Sequence, residues 1–253
     1  VQKDRRVIAI VQARMGSSRL PGKVAKEIMG KPMLAYLIER LKYAKEVDQI
    51  VIATSDKEND DRVAEIAKNE RVSVYRGSED DVLSRYIEAA KEFQADVIIR
   101  ITGDCPLIDP VTVDKAVVEF LNSKVEYLRL NVDDDGYPRG LDTEVFGFDT
   151  LLRVQELVMK EERSRDNPYR EHVTFYINKY PEEFKVKVHQ PPKRLKRNYR
   201  LCIDEDKDFN LIKEIYETLY HEDSIIDILD VISLLDDNPE LSQRNIDVEQ
   251  KKV

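Results

Sequence analysis

Twelve residues near the amino end, Gln12-Ala13-Arg14-Met15-Gly16-Ser17-Ser18-Arg19-Leu20-Pro21-Gly22-Lys23, carry three cations, two glycines and two serines. Glycines let backbone N–H groups come close to a ligand, and a turned run of such groups makes a concavity for anions. Arg14 and Arg19 offer forked donors that match phosphate oxygens. Lys23 is a mobile point charge that can follow charge as it develops on a leaving group. The set suits a triphosphate. It is neither Gly-x4-Gly-Lys-Ser/Thr nor Gly-x-Gly-x-x-Gly, because Gly16 and Gly22 are spaced differently and Val24 follows Lys23. A kinase-type or dinucleotide site is therefore not supported.

A triphosphate carries more charge than three cations offset, so attack at phosphorus calls for Mg2+ and hard oxygen ligands beside the loop. Two aspartates qualify. Asp104 lies in Thr102-Gly103-Asp104-Cys105-Pro106, and Asp204 follows the apolar run Leu201-Cys202-Ile203. They converge if that run lies beside the strand that precedes Asp104. Asp206 adds a carboxylate, read as the cap of the next helix in preference to a further ligand. Cys105 and Cys202 flank the two aspartates. No paired His/Cys spacing makes them a thiolate metal site, and buried reduced thiols are the reading.

The elements that position these residues follow from apolar patterning. Val7–Val11, Ile50–Ala53, Val72–Tyr75 and Val97–Ile101 are apolar runs of strand length. Helical patterns lie between them: Pro32 to about Ala44, about Asp60 to Asn69, and Asp80 or Asp81 to Phe93. This alternation predicts an α/β fold: a mostly parallel, Rossmann-like sheet covered by helices on both faces. Ligands of such sheets bind beyond the carboxyl ends of the strands. The basic loop and the Asp104 loop both lie there.

From Glu126 the pattern changes. Segment 126–148 reads as strand, turn and strand, an inserted β arm. Helices follow at about 149–161 and 170–180, short strands at 184–188 and 200–203, and helices at about 207–220 and 225–235. The 253 residues are read as a single domain, 1–253, with no internal repeat or low-complexity linker. A net charge of −9 argues against nucleic acid as partner. No apolar run has the length of a membrane span, and no secretory segment is evident. A soluble cytoplasmic protein is expected.

The stretch "QARMGSSRLPGK…GKPMLAYLIERL" closely resembles the amino-terminal signature of the cytidylyltransferases that make CMP-activated acidic sugars, such as the CMP-Kdo and acylneuraminate synthetases. Further motifs resemble the spore-coat-polysaccharide protein F branch: "TGDCPLIDP", "YPRGLDTEVF", "REHVTFYINKYPEEF", "LCIDEDKDF" and "NPELSQRNIDVEQKK". The likeness runs from about Arg6 to Lys252. It implies CTP as nucleotide and a nucleotidyltransferase, or glycosyltransferase-A type, sheet. It also implies a metal-binding aspartate in each of two motifs, matched by Asp104 and Asp204. "DEDKD" departs from the usual D-x-P-E-D at Asp206 and Lys207.

The expected catalytic residues are Arg14 and Lys23. Ala13, Arg14, Met15, Gly16, Arg19, Lys23 and Thr102 are expected to bind the nucleotide. The resemblance assigns cytosine to the region "YRGSEDDVLSRY", where Arg76, Ser78, Ser84 and Arg85 are candidates. Arg139, Asp142, Glu144, Arg170 and His172 are candidates for the acceptor, with Arg139 or Arg170 facing a carboxylate. The expected reaction is transfer of CMP from CTP to a hydroxyl of an acidic sugar or related acceptor, releasing pyrophosphate. The family's tendency to dimerise suggests a homodimer, with 126–148 as interface. Two other functions stay open: a nucleotide-sugar-dependent glycosyltransferase, for which an Asp-x-Asp motif is matched poorly, and a non-catalytic nucleotide-binding module.

Overall fold

β1 (Val7–Gln12) is an uninterrupted apolar run because both of its faces are covered. Val7, Ala9 and Val11 enter one core cluster, and Ile8 and Ile10 the other. The computed structural model describes residues 5–133, 135–161, 168–222 and 224–250. After β1 come a small separate hairpin, β2 (Glu27–Ile28) and β3 (Lys31–Pro32), and then α1 (Met33–Leu41). β4 (Gln49–Ser55), α2 (Asp61–Asn69), β5 (Ser73–Gly77), α3 (Val82–Glu92) and β6 (Val97–Thr102) continue the alternation. Asp81, not Asp80, caps α3 by accepting from the Ser84 N–H at 2.8 Å.

α4 (Pro110–Asn122) has no counterpart in the sequence reading, although Asp109 followed by Pro110 is a strong start signal. The remainder is β7 (Tyr127–Leu130), β8 (Glu144–Gly147), α5 (Phe148–Glu161), α6 (Pro168–Glu171), α7 (Phe175–Lys179), β9 (Val186–His189), α8 (Asp206–Leu219), α9 (Ile228–Asp237) and α10 (Pro239–Gln243). The single helix expected at 170–180 is thus two short ones.

The main sheet has seven strands in the order β5-β4-β1-β6-β8-β7-β9. β8 alone runs against its neighbours, and the other pairings are parallel. α1, α4, α8 and α9 cover one face; α3, α5 and α7 cover the other. The mostly parallel sheet with helices on both faces is as expected.

The inserted segment is different. Residues 126–148 do supply an antiparallel pair, but its strands are built into the main sheet instead of standing off it. Tyr127, Leu128, Val145 and Phe146 are fully buried there. Reversal at β8 also places its first residue, Glu144, opposite Arg100 near the carboxyl end of β6. Residues 200–203 form no strand. Arg200 makes one isolated parallel bridge with Arg139. Ile203 then donates to the Asp104 carbonyl at 2.8 Å, so the run rides on the loop that follows β6. Among the described residues, no helix is long and apolar enough to cross a membrane.

Candidate active site

The basic loop leaves β1 between β4 and β6. Ala13 N–H donates to the Ala53 carbonyl at 3.2 Å, and Gly103 N–H donates to the Gln12 carbonyl at 2.8 Å. The second contact requires a glycine, because a Cβ at 103 would lie 2.9 Å from that of Ala13. Met15 N–H donates to buried Asp60 at 2.7 Å. The Met15 carbonyl accepts from Ser17 and Gly22, each at 2.9 Å, with Gly22 at a φ of 71°. The loop is thereby folded back on itself, and Lys23 returns to the sheet edge.

There the Lys23 ammonium donates to Asp104 Oδ2 at 2.8 Å, to Asp204 Oδ1 at 3.0 Å and to the Ile203 carbonyl at 2.7 Å. Burial works against its charge, yet the two carboxylates outweigh burial and hold its pKa above the ordinary lysine value. Burial likewise opposes the Asp104 carboxylate, and Lys23 prevails, keeping its pKa below the usual range. Asp204 Oδ2 takes two further cations, Arg19 at 2.9 Å and Arg200 at 2.5 Å. Three cations therefore converge on one aspartate.

The backbone around Asp204 is fixed by Asp208, which is 0% exposed. Its Oδ2 accepts from the N–H groups of Asp204 and Glu205. Glu205 and Asp208 form a capping box for α8. The capping assigned to Asp206 therefore belongs to its neighbour; Asp206 is exposed and pairs with Lys26 at 3.0 Å. Cys105 and Cys202 are buried free thiols, and burial pushes both well above the ordinary cysteine pKa. Gly140, at a φ of 105°, lets residues 139–142 lie flat against 201–202: a Cβ there would stand 2.5 Å from the Leu201 carbonyl carbon.

This cluster closes one end of a cavity of about 620 Å³ at the carboxyl edge of the strands. That volume suits a nucleotide or a comparable ligand. The opposite wall belongs to the other face of the sheet. It contains Gln12, Arg85, the Arg100–Glu144 pair, Arg129, Asn178, Glu171 and His172. Glu144 accepts from Arg100 at 2.6 Å, from Tyr127 at 2.6 Å and from Thr174 at 3.0 Å. Arg85 is 2% exposed; burial, with Arg14 nearby, lowers its pKa.

The cytidylyltransferase family profile matches residues 8–252. The chain belongs to that family. It is 35% identical over 240 residues to the spore coat polysaccharide biosynthesis protein SpsF of Bacillus subtilis, covering 92% of this chain and 95% of that one. It is 29% identical over 232 residues to a 3-deoxy-manno-octulosonate cytidylyltransferase of Solibacter usitatus, covering 85% and 89%. The solved structure of a cytidylyltransferase from Leptospira borgpetersenii superposes with a TM-score of 0.85 at 33% identity, over 98% of this chain and 100% of that one. Nucleotidyl transfer from CTP is thus the chemistry, in place of glycosyl transfer or passive nucleotide binding.

In this cytidylyltransferase, Ala13, Arg14, Gly16, Arg19, Lys23, Arg85, Thr102, Asp104, Arg139, Asp142, Glu144, His172 and Asp204 all line the cavity. Met15 instead shapes the loop through its backbone. Arg76 lies outside the lining, tied to Ser55 and Lys57 carbonyls and to Asp61. Ser78 and Ser84 are also outside it, engaged in the turn and first turn of α3. Arg170 pairs with Asp81 away from the lining. Burial raises the pKa of Asp142, which accepts from Gly140 N–H at 2.6 Å. Sequence reasoning missed Gln12, Arg100, Arg129, Asn178, Arg200 and Gln250. A polar residue interrupting or ending an apolar strand, as Gln12 and Arg100 do, was the available signal.

Proposed function

We propose that the enzyme transfers CMP from CTP to a hydroxyl of an acidic sugar or a related small acceptor. The reaction would use Mg2+ and release pyrophosphate, in the cytoplasm and in the service of surface polysaccharide or glycoconjugate assembly. The observation that carries this is the sharing of one ammonium by Asp104 and Asp204, at the end of a loop suited to phosphates. Two carboxylates from distant segments, aimed at a single cationic point, fit a hard divalent ion. Asp104 and Asp204 would hold that ion. When bound, it would neutralise phosphate charge and favour the ionised acceptor hydroxyl.

The chain's own residues supply the rest. Arg14 and Arg19 orient the triphosphate from the loop. Lys23 places its proton donors where charge grows on the departing bridging oxygen, as the acceptor oxygen bonds to the α-phosphorus and pyrophosphate leaves. Arg85, a buried donor on the far wall, would serve the pyrimidine edge or the ribose. Arg139 offers a cation to an acceptor carboxylate, while Asp142 and His172 stand ready for hydroxyl contacts. The acceptor class rests on the name of the 3-deoxy-manno-octulosonate relative and on Arg139. Assembly of surface polysaccharide rests on the name of SpsF. A homodimer belongs to this reading by family resemblance, and light scattering tests it.

The deciding assay is pyrophosphate release from each of the four ribonucleoside triphosphates with Mg2+. Eight- and nine-carbon keto acids, a smaller sugar acid and a polyol phosphate serve as acceptors. Release from CTP with a keto acid is expected. Equal use of all four triphosphates would remove the base assignment, and release only with the polyol phosphate would remove the acidic-sugar class.

A further inference from the structure

Asp204 Oδ2 is held by Arg19 and Arg200, and each of these arginines is held in turn by the carboxyl-terminal segment. Arg19 Nη1 donates to the Glu249 carbonyl at 2.9 Å. Arg200 Nη1 donates to Gln250 Oε1 at 3.0 Å. Behind them lies a buried junction. Asn245, 1% exposed, donates to the Arg200 carbonyl at 3.0 Å and to Asp208 Oδ1 at 2.8 Å. Asp208 Oδ1 also accepts from Arg200 Nε at 3.0 Å. Asp208 Oδ2 receives the N–H of Asp204 itself at 2.9 Å. Gln250 and Arg200 also line a second cavity of about 310 Å³, which shares Arg139 and Gln250 with the first.

From this network we propose that residues 245–250 belong to the active site. Asn245 and Gln250 act as positioning residues for Asp204, through Arg200 and Asp208. One nitrogen from each of two guanidinium groups on Oδ2 restrains the carboxylate from rotating, so Oδ1 stays turned towards Lys23. Asn245 fixes the backbone from which the carboxylate hangs, and Gln250 fixes the guanidinium. The tail thereby sets the direction of a proposed metal ligand that lies about forty residues earlier in the chain. This inference rests on the reading of Asp104 and Asp204 as the metal pair.

Mn2+ binding, followed by the electron-spin signal of free Mn2+ in the presence of CTP, tests it on the full chain. Outer partners of metal ligands are worth on the order of tenfold or more in metal affinity. Gln250→Leu and Asn245→Ala are each expected to weaken Mn2+ binding about tenfold, and CTP binding in chelator about twofold or less. Gln250→Glu keeps an acceptor for Arg200 and is expected to bind Mn2+ within about twofold of the unmodified protein. Gln250 is exposed, so its variants report on position and not on folding. Unchanged Mn2+ affinity in Gln250→Leu, or a loss equal in Gln250→Leu and Gln250→Glu, would overturn the inference alone. Failure of the unmodified protein to bind Mn2+ with CTP would overturn the metal reading and this inference together.

Discussion

The two ends of the large cavity are built in opposite ways. At the Lys23 end, a loop, a strand end and a helix approach are brought together by backbone hydrogen bonds, and their charged side chains converge there. Asp104, Asp204, Lys23, Arg19 and Arg200 would repel or stand apart without one another. At the Arg85 end, polar side chains stand on strands and helices that exist for other reasons, and the Arg100 charge is already matched in place by Glu144. Glu144 has Arg100, Tyr127 and Thr174 around it and so neutralises Arg100. On the proposed reading, the first end meets a ligand that brings charge, and the second holds shape and discriminates by where its fixed donors lie.

Four substitutions and one change of pH break or sharpen that contrast. At the charged end, Asp104→Asn is expected to cut CTP-dependent pyrophosphate release about a thousandfold, and Lys23→Met about a hundredfold or more, while nucleotide affinity falls less. A parallel loss of kcat and nucleotide affinity in Lys23→Met would reduce Lys23 to a binding group. On the opposite wall, Glu144→Ala leaves the Arg100 charge buried. It is expected to lower unfolding stability by about 3–5 kcal/mol in urea titrations. A stable Glu144→Ala protein that has lost activity would make this wall chemical instead of structural.

The pH response should come from the charged end. Lys23 has a raised pKa, so its stabilising contribution is complete below the ordinary lysine value of 10.5 and is lost as pH rises through the folded value. Asp104 has a lowered pKa, so its contribution is present above the ordinary 3.8 and is lost as pH falls through the folded value. The melting-temperature gap between the unmodified protein and Lys23→Met should therefore hold steady from mildly acidic to neutral pH and shrink above 10.5. A gap that stays constant through the alkaline range would separate Lys23 from the pair. The smallest effect is expected for Arg76→Ala, outside the cavity: CTP affinity should change by about 0.5 kcal/mol or less, roughly twofold. A larger loss would extend the base site towards β5.

The same contrast explains what could be read before the structure. The meeting of Lys23, Asp104 and Asp204 was legible because a parallel sheet dictates the edge where such loop residues gather. Runs such as Val7–Val11 exposed that sheet directly, since strands buried on both faces need no alternation. The far wall was less legible. Arg76, Ser78 and Ser84 have the right donors, but local turns and the start of α3 use them. Arg100 and Arg129 look like ordinary polar positions in strands until register places them beside Glu144. β7 and β8 read as an arm because nothing local reveals that an antiparallel pair completes a parallel sheet. Arg200 and Asn245 gain meaning from contacts with residues 37 to 50 positions away.

Gly140 carries a consequence for how this fold can change. The seam between residues 139–142 and 201–202 is only as wide as bare backbone, and Asp204 follows it by two residues. Side chains nearby can be exchanged to suit different acceptors. A single methyl group at 140 would pry the seam open and swing Asp204 off its bearing, so diversification in this region must go around that position.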